Sequence, residues 1–158
     1  MLTTVAYVRL GLHDRIALIG QLPYEYRERT APAIPETGAP RQDFSNAAIG
    51  DLSTILMVQV LPLEGPGRFA LNLGAGVKWA TGADSNTQNG LILPVELQSG
   101  TGSTDPLLAL VAYHLWSWGS VSSNAVLRLP SRAGTGYQYG TELNYALTAL
   151  WSLGTSWQ

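Results

Sequence analysis

Along this chain, runs of alternating hydrophobicity are joined by links that are short and long in turn. Three tight links, His13-Asp14, Glu64-Gly65-Pro66-Gly67 and Ser117-Trp118-Gly119, are interleaved with long polar stretches at Arg29 to Ala48 and Thr81 to Ser103 and a medium one at Pro130 to Gly136. Tight turns on one rim and long loops on the other are the asymmetry of a transmembrane β-barrel.

Period-two alternation predicts seven strands, the first at Leu2 to Leu12, the second at Arg15 to Arg27 and the third at Asp51 to Leu61. The rest are Arg68 to Ala80, Thr104 to Trp116, Ser120 to Leu129 and Tyr137 to Leu153. The fourth is the cleanest: Phe69, Leu71, Leu73, Val77 and Trp79 alternate with Ala70, Asn72, Gly74, Gly76 and Lys78. The fifth is apolar on both faces, so its facing stays open. Strands of this length exceed the roughly 5 or 6 residues usual in globular proteins and match the roughly 9 to 11 of a tilted membrane strand.

Alternation cannot say which face meets water. A soluble antiparallel barrel with its apolar faces inward would show the same period. Charge separates the two, because a soluble barrel needs charged outer faces. Here only 13% of the 158 residues are charged, against about 25% in an ordinary soluble domain. The mixed faces carry mainly Ser, Thr, Gly, Asn and Gln. The expected fold is therefore all-β, an antiparallel up-and-down transmembrane β-barrel, with residues 1–158 forming one barrel domain or a fragment of one.

Facing then assigns roles. Arg9, Gln21, Glu25, Arg27, Asp51, Gln59, Asn72, Lys78, Asn124, Arg128, Glu142 and Asn144 fall on the mixed faces and become candidates to line the lumen. Their charges would serve either cross-strand pairing or the selectivity of a pore. Tyr24, Tyr26, Trp79, Tyr137 and Tyr139 lie near the long-loop rim and Trp116, Trp118 and Trp151 near the short-turn rim, as two interfacial aromatic belts would. Ala17, Ile19, Ile55 and Met57 are apolar on the lumen side, which implies either a partly apolar interior or a segment packed against it.

Other chemistry finds little support. No run reaches the roughly 18 to 20 apolar residues of a membrane helix, so strands must make any crossing. The net charge of −2, without a basic stripe, argues against a nucleic-acid partner. No cysteine is present, and His13 and His114 are the only histidines, with no convergent ligand set in the sequence, so neither metal nor cofactor is expected. His114 reads as a packing or lumen residue. The pieces Gly74-Ala75-Gly76-Val77-Lys78 and Gly100-Thr101-Gly102-Ser103 lack the ending of a phosphate loop and read as close wall packing and a loop turn. No export signal precedes Leu2, so the chain as written is not expected to be exported alone.

Several motifs in order carry a resemblance. They are His13-Asp14-Arg15, Leu22-Pro23-Tyr24, Gly50-Asp51-Leu52, Thr81-Gly82, Gly100-Thr101-Gly102-Ser103-Thr104-Asp105 and Gly136-Tyr137-Gln138-Tyr139-Gly140-Thr141-Glu142-Leu143. Together they span nearly the whole chain, which resembles the bacterial outer-membrane barrels named for the meta-pathway of phenol degradation, a transporter-like family. The resemblance implies a cell-envelope protein of the bacterial outer membrane that passes or binds small molecules, hydrophobic or aromatic ones among them. Its partners would be membrane lipid and a small solute, with no covalent chemistry. Family members are longer, and an odd strand count fits poorly with the even numbers of bacterial barrels, so the chain is expected to be an internal fragment and unstable alone. Two other functions compete. One is a soluble ligand-binding β-barrel with an apolar pocket, which would turn Phe69, Leu71, Leu73 and Val77 inward. The other is an outer-membrane lipid hydrolase depending on His114.

Overall fold

The computed structural model describes residues 2–31, 42–64, 68–88, 90–134 and 136–151. Within them the chain is antiparallel and all-β. Its strands are β1 (Leu2–His13), β2 (Ile16–Ala31), β3 (Gln42–Ile49), β4 (Ser53–Glu64) and β5 (Phe69–Lys78), the two-residue β6 (Thr87–Gln88) and β7 (Leu91–Ile92), then β8 (Asp105–Trp116), β9 (Gly119–Arg128) and β10 (Glu142–Trp151). Each long strand pairs with its neighbour in sequence, in the order β1-β2-β4-β5-β8-β9-β10, and the sheet curls into a half-barrel.

β2 is long enough to serve two partners. Its first part pairs with β4, from Ile16↔Val58 to Gln21↔Ser53, and its second with β3, from Tyr24↔Ile49 to Ala31↔Gln42. β3 and β4 are thus one strand direction broken at Gly50 to Leu52. Two residues of β2, Leu22 and Pro23, face three in the break, so the ladder bulges there. Pro23 lacks an N–H and fits such a place; its carbonyl accepts from Gly50 N at 2.8 Å.

This corrects the sequence reading in several places. The stretch Arg29 to Ala48 is not a plain loop: the β2–β3 hairpin continues the wall past the break. Thr81 to Ser103 contains the β6–β7 hairpin and a 3-10 turn at Val95–Leu97. The last strand begins at Glu142 rather than Tyr137. The turn at Gly65-Pro66-Gly67, and residues 152–153 at the end of the last predicted strand, lie outside the described residues.

Register sorts the side chains into rows. One concave row runs Arg9, Ile19, Ile55, Gly76, Leu107, Arg128, Glu142, and the next runs Gly11, Ala17, Met57, Gly74, Ala109, Val126, Asn144. Ile55, Met57, Leu107 and Ala109 form the buried cluster, with Ile19, Val111 and Val126 packed against it. The facing of β8, open from sequence, follows: Asp105, Leu107 and Ala109 point into the concavity while Leu108 and Leu110 are exposed on the convex side.

Close packing on the concave face lies over β5. A Cβ on Gly76 would lie 2.8 Å from Ile55 Cα, and one on Gly74 2.9 Å from Ile55 Cγ2. Missing side chains on β5 therefore let β4 and β8 close over it, as the close-packing reading of this glycine pair expects.

Candidate functional site

A group of charged residues of the concave face gathers at the end of the half-barrel where the long segment 79–104 leaves the wall. Lys78, at the end of β5, is directly opposite Asp105, at the start of β8. Arg128, at the end of β9, is opposite Glu142, at the start of β10. Asp51 joins them from the break above β4. Antiparallel pairing brings strand ends and strand starts to one rim, and the result is a row of alternating sign: Asp51, Lys78, Asp105, Arg128, Glu142.

The contacts are close. Lys78 Nζ donates to Asp51 Oδ2 at 2.8 Å, to the Ser103 carbonyl at 2.7 Å and to the Thr101 hydroxyl, and stands 3.1 Å from Asp105 Oδ2. Arg128 Nη2 reaches Glu142 Oε1 at 2.6 Å, its Nε lies 3.7 Å from Asp105 Oδ2, and its guanidinium is 5.7 Å from the centre of the Tyr139 ring. Lys78 is 6% exposed and Asp105 0%. Charges so deeply placed are tolerated because each meets an opposite one.

Asp51 ties segment 79–104 to the wall. Its carboxylate accepts from the Gly82 N–H at 2.8 Å, the Thr101 N–H at 2.9 Å and the Thr101 hydroxyl at 2.8 Å. Burial pushes its pKa up, but the hydrogen bonds from Lys78, Thr101 and Gly82 outweigh that and hold it below the usual carboxylate value. For Tyr139, burial and the neighbouring Tyr137 raise the phenol's pKa.

The segment folds inward over this mouth. Arg27 donates from Nη1 to the carbonyls of Glu96 and Gln98, both at 2.9 Å, and Asn46 donates to the Leu97 carbonyl at 2.8 Å. Glu25 forms an ion pair with Arg27. The buried Gln98 amide is satisfied within the segment, donating to the Leu93 carbonyl at 2.8 Å and accepting from Asn86 N–H at 2.8 Å. Gly82 and Gly100 pack backbone to backbone, since a Cβ on Gly82 would sit 2.8 Å from Gly100 Cα. A cavity of about 130 Å³ remains beside the segment, walled by Asp84, Ile92, Leu93, Gln98, Tyr137 and Tyr139 among others.

The twelve lumen candidates all lie on the concave side, but not together. Asp51, Lys78, Arg128 and Glu142 belong to the charge row, and Glu25 and Arg27 hold the inward segment. Gln59 and Asn72 sit beyond the apolar cluster and Arg9 in the row of Ile19 and Ile55; all three border a second small cavity with His13, Asp14 and Arg15. Gln21 stands opposite Ser53 and Tyr7; Asn124 and Asn144 occupy β9 and β10. Of the aromatic candidates, Tyr24, Tyr26, Trp116 and Trp151 are exposed on the convex side, Trp79 is exposed beside it with Nε1 donating to Thr54 Oγ1 at 2.9 Å, and Trp118 is exposed in the β8–β9 turn. Tyr137 and Tyr139 stand apart: their rings meet edge to face, 4.9 Å between centres, at the mouth cavity.

His114 lies on the convex side, 4.1 Å from the Trp116 ring centre and 6.4 Å from that of Phe69. Its Nε2 is buried without a hydrogen-bond partner. It is a packing residue rather than a lumen one.

Sequence reasoning missed Asp105, Thr101, Ser103 and Gln98. A signal existed for Asp105: if Thr81 to Ser103 joins paired strands, Lys78 and Asp105 fall opposite each other. No protein-family model matches the chain, and no curated protein matches it.

Proposed function

We propose that this chain forms the wall of a bacterial outer-membrane β-barrel through which small molecules pass, with segment 79–104 narrowing the mouth. The observation that carries the reading is the facing of the sheet. Phe69 and Leu73 on the convex side are 42% and 44% exposed, as are Leu56, Val58, Leu108 and Leu110 around them, while Asn72 and Lys78 face the concavity. A surface of this kind suits lipid, since exposed apolar area of such extent is a liability in water. A soluble barrel with an apolar pocket needs the opposite facing. The resemblance to outer-membrane barrels, the strand lengths of 10 to 12 residues in β1, β4, β5, β8, β9 and β10, and the convex aromatic side chains near both rims agree with it. The proposal involves no covalent step. No seryl or carboxylate partner of His114 occurs among the described residues, so no contact there supports the hydrolase reading.

The test is a pair of substitutions at adjacent positions. Leu73→Arg puts a charge on the lipid side and is expected to cost about 2 to 4 kcal/mol of insertion free energy at mid-depth; Asn72→Arg, facing the concavity, is expected to insert like the unmodified protein. Protease protection after refolding into phospholipid vesicles reads both, and swelling of the same vesicles in small neutral solutes reads passage. Equal insertion of the two variants, or no swelling, would overturn the proposal.

A further inference from the structure

The charges at the mouth are occupied with one another. Lys78 lies between Asp51 and Asp105, and Arg128 between Asp105 and Glu142. Toward the other end of the concave face the opposite holds. Arg9 on β1 stands in the row of Ile19 and Ile55, and Arg15 precedes β2, its carbonyl accepting from Gln59 N–H at 2.8 Å. Gln59 is opposite Asn72 on β5, and Asn72 is opposite Val111 on β8. Among the described residues neither guanidinium meets a carboxylate, and neither side-chain amide has a hydrogen-bond partner. Four donor groups on one stretch of wall are thus unspent.

Two cavities adjoin there, of about 100 Å³ and about 160 Å³, and Arg9, Met57 and Asn72 border both. Arg15 and Gln59 help to line the first, Ile19 and Val111 the second. Gly11 leaves the approach open, since a Cβ on it would meet nothing within 4 Å. Asp14 also borders the first cavity without pairing with either arginine, so two guanidiniums and one carboxylate leave a single positive charge. The planar fork of an arginine matches a carboxylate, and the amides of Gln59 and Asn72 add neutral donors. Ile19, Met57 and Val111 offer no polar side-chain group for hydrogen bonding and suit an alkyl or ring body. An inorganic anion has no use for that floor, and an uncharged apolar molecule has none for the fork.

Resting on the reading of the concave side as the path, we infer that this stretch is a binding site for an organic monocarboxylate, its carboxylate held by Arg9 and Arg15 and its apolar body lying on Ile19, Met57 and Val111.

Hexanoate is the probe, titrated against the refolded protein in phospholipid nanodiscs and read by saturation-transfer NMR with empty nanodiscs as the blank. The unmodified protein is expected to bind it, and to bind both acetate, which lacks the body, and hexanamide, which lacks the charge, more weakly. Arg9→Gln and Arg15→Gln are each expected to weaken hexanoate binding about tenfold, the scale of one lost charge-assisted hydrogen bond. Both side chains are exposed and unpaired, so neither substitution removes a contact that the wall depends on. Arg9→Lys keeps the charge without the fork and is expected to weaken binding less than Arg9→Gln. Arg132→Gln, in the loop between β9 and β10, is expected to change nothing. Hexanoate binding absent from the inserted protein, unchanged by both Gln variants, matched by acetate or hexanamide, or lost equally in Arg132→Gln would overturn the site while leaving the barrel reading intact. Failure of the unmodified protein to enter the bilayer, read by protease protection, would overturn both.

Discussion

Lys78 occupies a place where one deletion strands two partners. Replacing it with Met leaves the carboxylates of Asp51 and Asp105 buried and facing each other's charge, and breaking a buried pair in this way costs about 3 to 5 kcal/mol. The urea midpoint of the refolded protein should fall accordingly. Pairing Lys78→Met with Asp105→Asn should cost clearly less than the two single losses added, because both act on one network. Additive losses would mean that the row is a set of independent contacts. The acid side of the stability profile tests Asp51. Its folded pKa lies below the ordinary value of 3.8, so its contribution is fully present above that value and is lost as pH falls through the lowered one. Asp51→Asn should flatten this acid limb; an unchanged limb would assign it to other carboxylates. The twelve polar candidates were legible from period two alone. Asp105, the most buried side chain, was not, because it opens a strand apolar on both faces and alternation gives no phase there.

Elements explain what alternation misses. β3 hides in a polar stretch because, above the break at Gly50 to Leu52, its concave side meets the inward segment through Asn46 and its composition is that of a water-facing hairpin: Asp43, Ser45 and Asn46 carry little apolar signal. The same holds for segment 79–104, whose fold depends on backbone carbonyls finding Arg27 and Asn46 across sequence separations that no local pattern reports. Arg27→Ala is therefore expected to speed amide hydrogen exchange across residues 96–101 while leaving β5 and β8 protected. Exchange unchanged in that stretch would mean that Asp51, Lys78 and Asn46 hold the segment without Arg27. Close approach of β4 to β5 depends on the β5 glycines. Gly76→Val forces a side chain against the β4 backbone, and overpacking of this kind costs about 1 to 3 kcal/mol or more. The glycines were visible in the sequence as small residues in a wall; that they make room for Ile55 required knowing that Ile55 and Leu107 flank Gly76 on the neighbouring strands.

At the scale of the whole molecule the decisive features are two free edges and a convex apolar surface. Among the described residues, β1 and β10 each have a strand on one side only. Six antiparallel steps separate them, so both run in the same direction. Joining them directly would make a parallel seam, whereas an odd number of intervening strands would restore antiparallel pairing and an even total, the arrangement of bacterial barrels. Unpaired N–H and C=O groups along a strand are intolerable in hydrocarbon and adhesive in water. β1 is exposed along its whole length, and β10 presents Leu143, Tyr145, Leu147 and Trp151 beside its open edge. Without lipid or detergent, such a chain has two routes to lower free energy, edge pairing and burial of the convex face, and both consume a second copy. Diluted from denaturant into plain buffer, the protein should therefore sediment as large assemblies whose size grows with concentration, and phospholipid vesicles present during dilution should suppress them. A compact monomer sedimenting at one rate in plain buffer would mean that neither the edges nor the convex surface needs a partner, and the lipid-facing assignment of Phe69 and Leu73 would fall with it.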